Sequence, residues 1–106
     1  MVRFKIGKQD NATIITVMDK NWFIADPVNI LEQLPAIKVE LSKRPKLLIM
    51  DISKLNVMDT YLTGLLFTIQ SELEQNDGRL EVIINNKELE VWRITGADTQ
   101  FNFSIK

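Results

Sequence analysis

Two positions in this sequence pair a reactive side-chain type with a local setting that could use it. The first is Asp51, which ends the apolar run Leu47-Leu48-Ile49-Met50. A carboxylate at the carboxyl end of a buried strand lies where open α/β sheets bind their ligands. It could accept a phosphoryl group there, or it could simply end the strand and begin a turn. The second position is Asp59-Thr60, inside Val57-Met58-Asp59-Thr60-Tyr61-Leu62-Thr63-Gly64-Leu65-Leu66. Thr60 stands where a loop turns into a helix, so its hydroxyl is expected at an exposed helix start. A phosphate on that hydroxyl would carry roughly −1.5 to −2 charge. The free N–H groups and the dipole of a helix N-terminus favour an anion. Modification would then add charge and bulk to a surface without unfolding the domain, which is what a binding switch needs. The simpler reading makes Asp59 or Thr60 an N-cap worth about 1 kcal/mol.

The residue types that are absent narrow the chemistry further. The chain has no cysteine and no histidine. Disulfides, thiolate nucleophiles, thiolate or imidazole metal sites and the commonest general base are therefore excluded. The carboxylates show no paired spacing on one predicted helix face. No nucleophile–base pair or metal cluster is visible, so neither an enzyme nor a cofactor is expected. With Lys plus Arg at 13 and Asp plus Glu at 14, the net charge is −1. Such a chain has no general electrostatic claim on nucleic acid or on an anionic membrane.

Those residues need a scaffold, and 106 residues suffice for one compact domain, expected to span 1–106. Hydrophobic residues at 45% and charged residues at 25% are ordinary globular values. No run approaches the about 18 apolar residues of a membrane span. The start carries Arg3, Lys5 and Lys8 among alternating apolar residues, unlike a signal peptide, so a cytoplasmic location is expected.

Val2, Phe4 and Ile6 alternate with polar residues as in a strand, and Thr13 to Met18 is rich in β-branched residues. With Gln9-Asp10-Asn11 as the turn, the pair predicts a hairpin. Asp26-Pro27 is a helix start, followed by Val28, Leu31, Leu34, Ile37 and Leu41 at helical spacing. Pro35 should kink or divide that helix. Lys43-Arg44-Pro45-Lys46 reads as a solvated basic turn. Leu47 to Met50 reads as a strand buried on both faces. Leu62, Leu65, Leu66, Ile69 and Leu73 form one helical stripe, stopped by Asn76-Asp77-Gly78. Leu80, Val82, Ile83 and Ile84 predict a strand. Leu89 to Ile94 predicts a short helix ending at Gly96, with Trp92 facing the core. Phe101, Phe103 and Ile105 predict a last strand. The order β-β-α-β-α-β-α-β implies an α/β fold, a mixed sheet of about five strands with helices packed on it.

Asp51 after its apolar run resembles the phospho-acceptor of response-regulator receiver domains. That family also needs an acidic pair after the first strand and a lysine after a late strand. Here Gly7-Lys8-Gln9-Asp10 offers one acid, and Asn85-Asn86 stands between Ile84 and Lys87. The segment from Leu47 to Phe101 is more similar to STAS domains, the anti-sigma factor antagonists of bacterial partner-switching systems. One shared signature is Leu48-Ile49-Met50-Asp51-Ile52-Ser53, then Val57-Met58-Asp59-Thr60, then Gly64-Leu65-Leu66. A second is Val91-Trp92-Arg93-Ile94-Thr95-Gly96-Ala97-Asp98, leading to Phe101. The family often has small residues where this chain has Tyr61 and Leu62, and a Gly-Glu-Leu-like turn where it has Asp19-Lys20-Asn21-Trp22-Phe23. Many members also carry a last helix, for which nothing here follows Lys106.

The resemblance implies a protein-binding switch. Its unphosphorylated form would bind an anti-sigma factor or switch kinase, and phosphorylation of Thr60 would end binding, with a phosphatase as the reversing partner. Asp59, Thr60, Tyr61 and Thr63 would face the partner, with Thr63 a second acceptor or a small polar residue of the helix face. ATP belongs to the kinase, so no cofactor is implied; homo-oligomers remain compatible. Two other readings stay open: a constitutive STAS-type adaptor subunit of a lipid or anion transport system, and a scaffold subunit of a stress-sensing complex. Trp22-Phe23-Ile24 either closes one end of the core or is exposed for a partner.

Overall fold

Alternation along the strands decides which way the sheet faces. In β2 (Ala12–Val17), Ile15 and Val17 point to one side; in β3 (Leu47–Asp51), Leu48 and Met50 do; in β4 (Arg79–Ile84), Leu80, Val82 and Ile84 do. All seven are buried. The computed structural model describes residues 3–21, 34–56 and 60–106, with the main chain alone at 60 and 61. The expected helix start at Asp26-Pro27, with Val28 and Leu31, lies outside the described residues, as do Val2, Trp22-Phe23-Ile24, Val57, Met58 and Asp59.

The sheet has five strands in the order β1-β2-β3-β4-β5. β1 (Phe4–Gln9) pairs antiparallel with β2, and Gln9 opposite Ala12 leaves Asp10-Asn11 as a two-residue turn. Asp10 takes a positive φ of 54°, which Asp tolerates better than most residues. β2, β3, β4 and β5 (Asn102–Ile105) run parallel. The mixed five-stranded α/β sheet expected from the sequence is therefore present.

β3 is the central strand, as its apolar run predicts. Its two faces are not buried alike, however. Leu48 and Met50 are fully covered, whereas Leu47 and Ile49 are half-buried, together with Ile14 and Ile83 on the same side of the sheet. A continuous apolar run fits an inner strand but does not promise equal cover on both faces.

The covered face carries the stripe of α2 (Thr60–Glu74). Leu62, Leu65, Leu66, Ile69 and Leu73 join Ile15, Met50, Val82 and Trp92 in one buried cluster. α1 (Pro35–Ser42) adds Ile37 and has Pro35 in its first turn, where a missing N–H costs nothing. The proline thus begins this helix after a non-helical Leu34, which fits a divided helix and not a kinked one; the residues before Leu34 lie outside the described ones.

A further correction concerns Lys43 in the basic turn. Its Nζ donates to Glu40 Oε2 at 2.7 Å, while Lys8 lies 3.3 Å from Glu40 Oε1. Glu40 is buried. The hydrogen bond from Lys43, helped by Lys8, outweighs desolvation and holds the Glu40 carboxyl below its ordinary value. The exposed turn therefore closes back on the end of α1 through Lys43, and Lys8 ties α1 to the hairpin through the same carboxylate.

The predicted element order needs one addition. After α3 (Leu89–Thr95), Gly96 adopts φ 80° and the chain forms a second short helix, α4 (Ala97–Gln100), before β5. The left-handed residue closes one helix and redirects the chain so that Ala97 is buried.

At the other end of the sheet α2 ends at Glu74, Asp77 and not the expected glycine takes the left-handed φ of 59°, and the Gly78 N–H donates back to Leu73 O at 2.7 Å. A Cβ placed on Gly78 would lie 2.5 Å from the Pro45 carbonyl oxygen. Gly78→Ala is therefore expected to destabilise the fold by about 1–3 kcal/mol, as overpacking does. A thermal melt would show this as a fall of roughly 4–8 °C per kcal/mol for a domain of this size. An unchanged midpoint would show that the Pro45 loop gives way freely.

Candidate functional site

The candidate residues gather at the carboxyl ends of β3 and β4. β3 ends in Asp51, which is only 4% exposed. The Ser53 hydroxyl donates to Asp51 Oδ1 at 2.6 Å and the Ser53 N–H donates to the same oxygen at 3.0 Å. Lys106, just beyond β5, donates to Asp51 Oδ2 at 3.1 Å. Burial pushes the Asp51 carboxyl up, but the two Ser53 bonds and Lys106 outweigh it and hold it below its ordinary value.

This arrangement settles what Asp51 does in the fold. Both carboxylate oxygens are engaged, one of them in closing a turn over Ser53. The lysine that a receiver-like reading requires is supplied by Lys106, although Asn85-Asn86 follows β4. The acidic partners are not supplied. Asp19, at the end of β2, pairs with Arg3 at 2.9 Å. Among the described residues no three acidic groups come together as a metal site. Asp51 is thus a strand-ending residue that organises a turn.

The β3–α2 loop continues from that turn. Ile52 N–H donates to Ile83 O at 2.9 Å, and Asn56 N–H donates to Lys20 O at 2.8 Å. Leu55 is buried beneath it. From β4, Asn85 donates through Nδ2 to Ser53 O at 3.0 Å and to Leu55 O at 2.8 Å. Its Oδ1 accepts from Glu88 N–H at 3.1 Å and so caps the 3₁₀ turn Asn86–Glu88 that precedes α3. Asn85 drew no attention in the sequence except as an interruption before Lys87. A polar residue directly after a parallel strand is the signal that could have marked it.

Main-chain helix begins at Thr60. Position 60 is therefore already helical in its main chain. By helical register, position 60 shares a side of α2 with Gly64 and Phe67, away from the buried stripe. Gly64 is exposed, and Phe67 is 41% exposed. Thr63, one turn on, is half-buried. Asp59 and the side chains of Thr60 and Tyr61 lie outside the described residues. Leu62 is fully buried. Its departure from the glycine common in STAS domains therefore belongs to core packing and not to a contact surface.

The second signature forms the neighbouring wall. Trp92 is fully buried, as its place in the stripe predicts, and its ring lies 5.7 Å from Phe101 and 5.4 Å from Phe103. Phe101 in turn lies 4.7 Å from Phe67 on α2. The α3 residue Ile94 faces solvent at 78% exposure. Thr95 donates its hydroxyl to Val91 O at 2.8 Å, inside the helix.

Comparison with solved structures sets this geometry beside a known fold. The crystal structure of an anti-sigma factor antagonist from Mycobacterium paratuberculosis is similar at a TM-score of 0.76. It is 18% identical, and the match covers 97% of this chain and 85% of that one. The chain has a STAS-like fold. At this identity the likeness concerns the fold. No protein-family model and no curated protein matches the chain. Within the STAS-like fold, Asp51 and Gly96 stand at strand and helix ends, as the two sequence signatures imply. Among the described residues no helix is long and apolar enough to cross a membrane.

Two expected outcomes follow from these contacts. Asp51→Ala takes the charged acceptor from the half-buried Ser53 donors and should lower stability by about 1–3 kcal/mol at neutral pH. A depressed carboxyl contributes fully above its ordinary value of 3.8, and the contribution fades as acid protonates the folded carboxylate. Urea unfolding of wild type and variant should therefore differ clearly at about pH 7 and converge as the pH falls well below the ordinary carboxyl value. Gly96→Val should cost roughly 1 kcal/mol or more through backbone strain, since open space surrounds the new Cβ. Gly96→Asn should cost less, because Asn tolerates the left-handed region. Equal melting temperatures for the Val and Asn variants would refute strain as the cause.

Proposed function

We propose that this chain is a protein-binding switch of the anti-sigma factor antagonist kind, with Thr60 as the phosphate acceptor. Unmodified, it binds an anti-sigma factor or a switch kinase through Asp59, Thr60, Tyr61 and Thr63. Phosphorylation of Thr60 releases that partner, and a phosphatase restores binding. The observation that carries this reading is main-chain helix at position 60, at the head of a helix whose buried stripe is Leu62, Leu65, Leu66, Ile69 and Leu73.

A phosphate at the first turn of a helix meets free N–H groups and the positive end of the dipole, so the fold tolerates it. On a contact surface the same charge must be desolvated or faces repulsion, so binding weakens. The protein itself needs no nucleophile or cofactor for this role, because the kinase brings ATP. The reading places the chain in the cytoplasm, among regulatory proteins and not among enzymes.

Capture of partners from the native cell, followed by mass spectrometry of the partner and of Thr60, tests the reading directly. Thr60→Ala should keep the fold and leave partner affinity largely intact. Thr60→Glu should also fold, since negative charge suits a helix start, and should bind more weakly. The effect should be partial, because one carboxylate carries less charge than a phosphate. Calorimetry of wild type, both variants and the phosphorylated protein gives the affinities, and circular dichroism checks folding. Equal affinity for phosphorylated and unmodified protein would sink the switch and favour a constitutive adaptor of a transport system or a stress-sensing scaffold.

A further inference from the structure

The side chain of Asn85 makes more cross-chain hydrogen bonds than its place after a strand requires. Capping the 3₁₀ turn needs only Oδ1, which accepts from Glu88 N–H at 3.1 Å. Serine or aspartate would do as well there. The amide nitrogen is directed elsewhere, to two carbonyl oxygens of the β3–α2 loop, Ser53 O at 3.0 Å and Leu55 O at 2.8 Å. Only asparagine among the common capping residues carries both an acceptor for the cap and a paired donor for the loop.

The loop is held at its other points as well. Asp51 binds the N–H and hydroxyl of Ser53, Ile83 O binds Ile52 N–H, and Lys20 O binds Asn56 N–H. Asn85 alone in this set joins the loop to the segment leading into α3. Asn56, the last residue of the held stretch, precedes the first helical residue of α2 by four positions.

We infer that Asn85 is a positioning residue of the switch: its amide holds Ser53 to Asn56, the described part of the loop that leads toward α2, in one preformed geometry. The inference rests on the reading of Thr60 as the acceptor and adds how that acceptor is placed. A loop fixed in advance loses less conformational entropy when a kinase or anti-sigma factor docks on it, so affinity rises without any contact from Asn85 itself. Asn85 touches neither the partner nor the phosphate in this account; it acts through Ser53 and Leu55.

Asn85→Asp isolates the amide donor. The variant keeps an oxygen for Glu88 N–H and so preserves the cap, but it sets a carboxylate against two carbonyls. Amide hydrogen exchange on the intact chain, read by NMR, should show Ser53, Leu55 and Asn56 exchanging about tenfold faster. Amides of Leu48 to Met50 and of Val82 to Ile84 should keep their rates, a local signature that general loss of stability would not give. Asn85→Ala removes the cap as well and should add faster exchange at Glu88. The partner captured with wild-type protein should bind the Asp variant more weakly, with the loss in the entropic part of the calorimetric signal. Loop amides that exchange in Asn85→Asp as in wild type would overturn the inference. So would unchanged partner affinity despite a loosened loop. A protected wild-type loop with Thr60 unmodified in cells would instead overturn the acceptor reading alone.

Discussion

The stripe Leu62, Leu65, Leu66, Ile69 and Leu73 along α2 is buried in the same cluster as Leu48, Met50, Leu80 and Val82 of the two inner strands. A helix with one apolar stripe has one stable orientation on such a face. Once that stripe is down, Gly64 and Phe67 are left on the exposed side. The orientation of that side is thus a by-product of core packing. Substitutions far along α2, at Ile69 or Leu73, would disturb it by letting the helix roll.

Three of the described buried polar residues, Glu40, Asp51 and Thr13, are managed by one device. Glu40 is met by Lys8 and Lys43, Asp51 by Ser53 and Lys106, and Thr13 Oγ1 accepts from Lys8 Nζ at 3.0 Å. In each case a mostly exposed lysine reaches inward along the surface to a buried oxygen. Its stem covers apolar area while its ammonium keeps contact with water. The arrangement avoids an unpaired buried charge at either end of the sheet. Lys106 is 65% exposed, so its share in holding Asp51 is screened and the closer Ser53 bonds carry more of it.

Patterns with a period could be read from the chain directly. The α2 stripe, the alternation of β2 and β4, the Gly96 helix stop and the buried Trp92 all rest on spacing within a dozen residues, and all stand in the structure. What could not be read depends on residues distant in sequence. Lys106 reaches Asp51 across 55 positions, and Asn85 reaches Ser53 across 32. Neither pairing leaves a local trace, because any surface lysine or loop asparagine looks the same before the sheet is assembled. The extra turn α4 escaped for another reason: Ala97-Asp98-Thr99-Gln100 is too short to show a period. Lys43 was misread because a basic turn is usually solvated, and nothing local announces a buried glutamate one helical turn away.

Gly78 seats the end of α2 directly on Pro45, and Arg79 N–H then donates to Lys46 O at 3.0 Å. Leu47 to Ile84 thereby becomes a strand–helix–strand unit whose two parallel strands start from a common stapled end. It holds β3, β4 and the helix that covers them, and so most of the buried cluster lies within it. Assembly is then expected to be polarised, with this unit forming the nucleus and the hairpin and β5 adding to its flanks. A glycine that looks like a simple helix stop would in that case set the rate of folding, not only the depth of the native well.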